Sequence, residues 1–555
     1  MTVESKSRPH FDMVIVGAGF SGMYMVQRAR SSGLSVQCYE AGDEVGGTWY
    51  WNRYPGARVD IESLEYSYSF SDTLQKEWQW SERYAAQPEL LNYATHVADR
   101  FDLRERIQFQ TRVVSAIFDE QAQNWVVKTD RGDTVTAQFC IFATGLISAP
   151  LEPDFEGLDK FRGEQYQTGR WPKHDVDFVG KKVGVIGTGS SGIQVISEVA
   201  EEAGTLYVFQ RTPAYTIPLQ NQPVDQAHHS KIKEDYGSMR QSEFDSFAGF
   251  VLVHSELAPL PTLSALEVSA EDRQAEYEDR WESGGLCPYY VYTDVLLDEQ
   301  ANETLSEFAR NKMSERVNDP EIAEKLVPRD YPILTRRLSA ETGYLETFNR
   351  DNVELVDVRE NPIEKFTEKG IVVDGEEIEL DVIIFATGFD VMTGAMDRID
   401  IRGRDGQSLK QRWGDGLTSY LGMMTHGFPN LIWMNGPGSP FYNPILMAEY
   451  QGDWLINVID QLRAKGQSSI EASPEDEATW VKLTNDIGDM TLFPKSNNYY
   501  MGDNIPGKPR RILFFFGGFP LYREQCDQAA SGLEGFMVSG AATSVDSNSA
   551  QELSA

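Results

Sequence analysis

Two stretches, Phe11-Asp-Met-Val-Ile-Val-Gly-Ala-Gly-Phe-Ser-Gly22 and Lys182-Val-Gly-Val-Ile-Gly-Thr-Gly-Ser-Ser-Gly192, carry the same grammar. In each, a short apolar run of strand character meets a Gly-x-Gly-x-x-Gly turn, and a helical pattern comes next. That order is the opening of a βαβ unit. Gly17 and Gly187 permit the tight turn. Gly19 and Gly189 let the backbone approach a pyrophosphate, and Gly22 and Gly192 let the helix pack closely on its strand. The diphosphate then sits at a helix N-terminus, where free N–H groups and the helix dipole favour an anion. Two such turns, 170 residues apart, predict two dinucleotide-binding folds in one chain.

The residue at the end of the second strand tells the two units apart. Val36-Gln-Cys-Tyr-Glu40 reads as the second strand of the first unit, and Glu40 stands 18 residues after Gly22. A carboxylate there accepts hydrogen bonds from a ribose diol. In the second unit Gln194 to Ala203 reads as a helix and Leu206 to Arg211 as a strand, so Arg211 stands 19 residues after Gly192 in place of an acid. A guanidinium can bind a 2′-phosphate bidentately, so this site is expected to prefer NADPH to NADH, with Thr212 as a second donor. The alternative for Arg211 is an ordinary surface arginine.

Two more apolar runs, Phe139-Cys-Ile-Phe-Ala-Thr-Gly145 and Asp381-Val-Ile-Ile-Phe-Ala-Thr-Gly388, end in the same triplet and suit parallel strands buried on both faces. The fold class is therefore α/β, with two Rossmann-like dinucleotide-binding domains. Residues 1–150 and 385–540 are assigned to the first domain, and 151–220 with 331–384 to the second. Between 221 and 330 the pattern becomes charged and helix-favouring, and predicts a mostly helical insertion. Small polar residues at 541–555 predict a disordered tail.

A formal net charge of −35 argues against nucleic acid or an anionic membrane as partner. No apolar run reaches the roughly 18 residues a spanning helix needs. Four scattered cysteines form no CxxC pair, so neither a redox dithiol nor a cysteine metal site is expected. With no apolar leader at the N-terminus, the expectation is a soluble cytoplasmic protein.

Gly46-Gly-Thr-Trp-Tyr-Trp-Asn-Arg-Tyr-Pro-Gly-Ala-Arg-Val-Asp60 resembles the long signature of Baeyer–Villiger monooxygenases, at Gly47, Trp49, Tyr54, Pro55, Gly56 and Asp60. Phe161-Arg-Gly-Glu-Gln-Tyr-Gln-Thr-Gly-Arg-Trp-Pro172 resembles their second signature, except that Gln167 replaces its histidine. That segment links the two nucleotide domains in the family, so the glutamine is expected to retune coupling to NADPH. From about residue 11 to 538 the chain resembles phenylacetone and cyclohexanone monooxygenases.

The resemblance implies FAD at the first site and NADPH at the second. It places Thr48, Arg58 and Tyr66 against the flavin with Gly47, Trp49 and Asp60, and makes Trp51 and Tyr54 walls of that site. On the second site it adds Thr188, Ser190 and Ser191 to the glycines, and Arg336 beside Arg211. Tyr499 stands where the family has tryptophan, in a segment that closes over the cofactor. Arg337 is the implied active-site arginine and Asp60 its orienting carboxylate. The implied reaction inserts one oxygen of O2 beside a ketone carbonyl through a C4a-peroxyflavin, giving an ester or lactone. Arginine suits it, because its charge persists at every relevant pH. An N-hydroxylating or sulfur-oxidising flavin monooxygenase of the same fold is the alternative, kept open by Gln167.

Overall fold

A computed structural model describes residues 8–252, 262–440 and 442–540; the tail expected at 541–555 lies outside the described residues. Both glycine turns sit where a parallel strand gives way to a helix. The first unit runs β1 (His10–Val16), α1 (Phe20–Ser31), β2 (Val36–Tyr39). Strand β1 pairs in parallel with β2 on one side and with β3 (Thr134–Phe142) on the other. They are the middle of an eight-stranded sheet. The chain returns to that sheet late: Asp400–Arg402 pairs with Val113–Asp119, and Leu431–Trp433 pairs with β3.

The second sheet is built from β4 (Glu164–Gln167), β5 (Lys182–Ile186), β6 (Thr205–Gln210), β7 (Val353–Asp357) and β8 (Val382–Phe385). All neighbours are parallel, in the order β7-β6-β5-β8-β4. Helix α2 (Ser190–Glu202) comes directly after the second glycine turn. All four residues of β8 are buried, as its unbroken apolar run requires of a strand covered on both faces.

Element ends differ from the sequence reading in a consistent way. Helix α2 starts at Ser190, four residues before Gln194, because the turn already points the chain along the helix and serine suits a first turn. The two triplets lie beyond β3 and β8 rather than within them, and Glu40 and Arg211 fall just past β2 and β6. Residues placed just beyond strand ends are free to face a ligand, as expected for open α/β sheets.

Among the described residues, five α-helices, Gln226–Glu234, α3 (Tyr236–Asp245), Ala270–Ser283, Glu299–Ser314 and Pro320–Leu326, occupy the stretch read as helical. A buried charged cluster fastens α3 to the first domain. Arg240 Nη1 donates to Glu243 Oε2 at 2.9 Å, and Nη2 donates to Ser67 Oγ at 2.8 Å and to Leu64 O at 3.2 Å. On α4 (Pro444–Ala464), Glu449 accepts from Ser69 N at 2.8 Å and Phe70 N at 3.0 Å. Burial pushes the Glu243 and Glu449 carboxyls up to about 7, with Arg240 opposing.

Those raised values fix a sign. The folded chain holds protons here that the unfolded chain releases near pH 4.5, so stability from these groups falls as pH rises from about 4.5 to 7. Thermal unfolding of Glu449→Gln is therefore expected to depend less on pH across that window than the parent. An equally steep parent and variant would show that Glu449 does not titrate there.

Candidate active site

The two nucleotide cradles are built alike, and the triplets explain how. Gly17 has φ +102°, and a Cβ on it would lie 2.6 Å from Ala143 O, the carbonyl that opens the first triplet. Gly187 has φ +109°, and its Cβ would lie 2.5 Å from Ala386 O, which opens the second. Gly22 and Gly192 in turn press on the carbonyls of Gly17 and Gly187. Nothing lies within 4 Å of where a Cβ on Gly189 would stand, while Gly19 faces only the backbone of Gly47. Neither α1 nor α2 has a side-chain cap or an acid in its first turn. Their leading N–H groups are left for an anion, and the bare glycine backbone leaves it room.

Glu40 is buried at the first cradle, where its Oε2 accepts from Ala18 N and its Oε1 from Gly42 N, both at 2.7 Å. Burial raises its pKa and these backbone N–H groups pull it back. A carboxylate oxygen can accept more than one bond, so the ribose diol can still be met.

At the second cradle the guanidinium of Arg336 lies 4.2 Å from the centroid of the Tyr331 ring. Its Nε is buried without a hydrogen-bond partner among the described residues. Burial lowers the Arg336 pKa, Tyr331 opposes, and the charge of exposed Arg211 lowers it further. Two cations held together with a donor unused are a poor arrangement for stability and a good one for a phosphate dianion. Thr188 Oγ1 donates to Thr212 O at 3.1 Å, and Ser190 Oγ lies 3.1 Å from Ser339 Oγ.

Between the cradles Asp60 and Arg337 meet. Arg337 donates to Asp60 Oδ2 from Nη2 at 2.5 Å and from Nε at 3.1 Å. Each side chain remains about a quarter exposed, 23% for Arg337 and 27% for Asp60. Burial works against the charge of Arg337. The Asp60 carboxylate and the phenols of Tyr289, Tyr500 and Tyr499 outweigh it and hold its pKa well above the ordinary value. The cation is permanent. Tyr289 comes from the helical insertion and its hydroxyl accepts from Leu338 N at 3.2 Å. No motif marked it.

Tyr499 opens a short turn over Tyr499–Met501 and packs on Tyr500, ring centroids 4.4 Å apart. Burial pushes its phenol up to about 12, and Arg337 pulls it back. Lys508 anchors the same segment on Asp390 at 2.6 Å and Asp397 at 3.1 Å. Trp49 Nε1 donates to Tyr66 OH at 3.1 Å, so these two expected flavin-side residues hold each other.

Three of the residues singled out in the sequence have protein partners of their own. Arg58 is occupied by Glu82 and by Tyr84 O at 2.5 Å, so its guanidinium serves the loop that carries Asp60. Tyr54 is not only a wall: its hydroxyl donates to Gln194 Oε1 on α2 at 2.8 Å. Gln167 ends the edge strand β4 and donates to Leu151 O at 2.7 Å, while Leu151 N donates to Gly388 O at 3.0 Å. It thus ties the link between the sheets to the second triplet.

Gly56, at φ +79°, lies flush on α2, where its Cβ would stand 2.6 Å from Gln194 O and 2.8 Å from Glu198 Cγ. The nearer neighbour is backbone and cannot swing away. Gly56→Ala is expected to destabilise the flavin-loaded protein by more than the roughly 1–2 kcal/mol that a left-handed backbone costs an L residue, seen as a lower melting temperature. An unchanged melting curve would mean that the loop does not dock on α2.

The site thus combines two cradles that admit dinucleotides with an arginine held by a carboxylate. Residues 11–225 match the family model described as flavin-binding monooxygenase-like. An acetone monooxygenase (methyl acetate-forming) of Gordonia sp. strain TY-5 is 41% identical over 534 residues, 95% of this chain and 99% of that one. Cyclohexanone 1,2-monooxygenase of Acinetobacter sp. is 41% identical over 517 residues, 92% of this chain and 94% of that one. The structure of an oxidised steroid monooxygenase bound to NADP superposes with a TM-score of 0.91 at 47% identity, covering 96% of this chain and 99% of the other. The chain belongs to the Baeyer–Villiger monooxygenases, and its cofactors are FAD and NADPH. Among the described residues no helix is long and apolar enough to cross a membrane.

Proposed function

We propose that this chain inserts one atom of dioxygen beside the carbonyl of a small-molecule ketone, giving an ester or lactone, with Arg337 and Asp60 at the reacting centre. The observation that carries the reading is the Asp60–Arg337 ion pair, which joins the end of the long signature to the basic pair between the two cradles. Bound FAD, reduced by NADPH, supplies the activation of dioxygen, and that chemistry is the cofactor's own. The protein's part is charge, position and dryness.

Arg337 offers a fixed positive charge where negative charge develops on the ketone oxygen during attack. Such preorganised charge gives its benefit in the transition state. The same charge disfavours a proton on the attacking oxygen. Asp60 holds the guanidinium plane through two N–H groups, and so fixes the direction in which the charge faces. Tyr289, Tyr499 and Tyr500 crowd the pair and limit water. Glu40 serves the ribose of FAD, and Arg211 with Arg336 serves the 2′-phosphate of NADPH. Residues 1–150 and 385–540 form the FAD domain, 151–220 and 331–384 the NADP domain, and 221–330 the insertion between them. The acidic chain works in the cytoplasm on diffusing substrates.

Oxygen uptake with NADPH, measured over linear, cyclic, aromatic and steroidal ketones with product analysis, tests the reaction. An amine in the same panel tests the alternative chemistry, and an N-oxide in place of any ester would overturn the proposal. Arg337→Ala is expected to bind FAD and oxidise NADPH while forming no ester; ester at the parent rate would remove Arg337 from the reacting centre. Arg336→Ala and Arg211→Ala should each raise the KM for NADPH by about tenfold or more, as loss of a charged hydrogen bond does, and leave the KM for NADH little changed. Equal effects on both coenzymes would exclude a 2′-phosphate contact.

A further inference from the structure

Helix α2 touches the chain on both sides of the ion pair, two residues beyond Arg337 and two residues before Asp60. At its first residue, Ser190 Oγ lies 3.1 Å from Ser339 Oγ, two residues beyond Arg337. One turn later, Gln194 Nε2 donates to Arg58 O at 3.1 Å, two residues before Asp60. Gln194 Oε1 is held in place by the Tyr54 hydroxyl at 2.8 Å, and its carbonyl carries Gly56. Ser339 is buried and opens the short strand Ser339–Glu341, which pairs with Thr216–Pro218 just beyond β6. The first two turns of the helix that faces the second dinucleotide therefore reach the backbone two residues before Asp60 and the side chain two residues beyond Arg337. Other elements reach one side of the pair: Tyr289 meets Leu338, and Arg83 meets Glu62.

We propose that the first two turns of α2 transmit occupancy of the NADP cradle to the Asp60–Arg337 pair, with Gln194 and Ser339 as the positioning residues. An anion seated on the N-terminal N–H groups of α2 fixes the helix along its axis. The Gln194–Arg58 bond then fixes the height of the loop that carries Asp60, and the Ser190–Ser339 bond fixes the chain that carries Arg337. Neither Gln194 nor Ser339 touches substrate. Their contribution is that the pair takes its working geometry when the nucleotide is present and loosens when it is absent. Small errors in such geometry are costly, since catalytic groups must be held within fractions of an ångström. The inference rests on the placing of Arg337 beside the flavin, and it adds a path by which retained NADP⁺ governs how much reduced flavin is used productively.

Two substitutions separate the two links. Ser339→Ala removes the hydroxyl contact, and Ser339→Thr restores a hydroxyl. Gln194→Glu keeps an acceptor for the Tyr54 phenol but has no N–H to donate to Arg58 O. Oxidised, FAD-loaded protein is titrated with NADP⁺, reading its affinity by equilibrium dialysis and the change in flavin absorption. Ester and hydrogen peroxide are then measured per NADPH consumed. Both variants should bind NADP⁺ as the parent does but show a diminished flavin difference spectrum. Ester per NADPH should fall about fivefold, the ratio that losing one hydrogen bond of ordinary net strength produces, with peroxide making up the difference and Ser339→Thr recovering much of it. Parent-like spectra and coupling in both variants would overturn the proposal. So would a fall in coupling that merely tracks a fall in NADP⁺ affinity. A failure of Arg337 itself is separate, because it shows as ester formation in Arg337→Ala whatever these variants do.

Discussion

An ion pair between residues 277 positions apart has to be delivered from both ends, and Asp60–Arg337 sets that demand for the whole molecule. Half-buried charges gain little from each other unless their geometry is held, and a lost partner strands the other in a poor solvent. The supports are visible. The loop before Asp60 lies on α2 through Gly56 and Tyr54, and the chain after Arg337 is fixed by Tyr289 and by the short strand at Ser339. Sheets, helix and insertion each contribute one support, so the site exists only when all of them are docked.

The loop itself carries the charges in alternation. Arg58, Asp60 and Glu62 pair with Glu82, Arg337 and Arg83, while Val59 and Ile61 between them are buried. The charged groups thus alternate with buried apolar ones along a bent loop segment. The outer two pairs stay within the neighbouring segment and are structural. The middle one crosses to the far part of the chain, and it is the one left partly open to the site. Glu62 and Arg83 are almost fully shielded, whereas Asp60 and Arg337 keep about a quarter of their side-chain surface.

Much of this was legible in the residues alone, and the reasons are local. The glycine turns declare themselves because only a missing side chain allows a carbonyl at 2.5 to 2.6 Å from the Cβ position of Gly187 and Gly17. Glu40 and Arg211 sit at fixed spacings from those turns. Asp60 and Arg337 came from resemblance, and the structure brings them together. Tyr289 and Gln194 were not legible. Both act through hydrogen bonds across the fold, Tyr289 with a backbone N–H and Gln194 with a backbone carbonyl and the Tyr54 hydroxyl, and such contacts ask for no particular sequence pattern. Arg58 carries a contact that no pattern announced, its Nη1 holding Glu82 and the Tyr84 carbonyl beside the loop.

The second cradle's two arginines sit inside a chain with 85 acidic and 50 basic side chains. A coenzyme carrying several phosphate charges must cross that repulsive field before it reaches the second cradle, where exposed Arg211 and half-buried Arg336 stand. Salt shortens the reach of the field to about 8 Å at physiological ionic strength, whereas a contact made at a buried guanidinium is screened far less. Capture of coenzyme should therefore become faster as ionic strength rises, the reverse of what a basic protein shows. The protein thereby trades speed of encounter for a tightly localised grip.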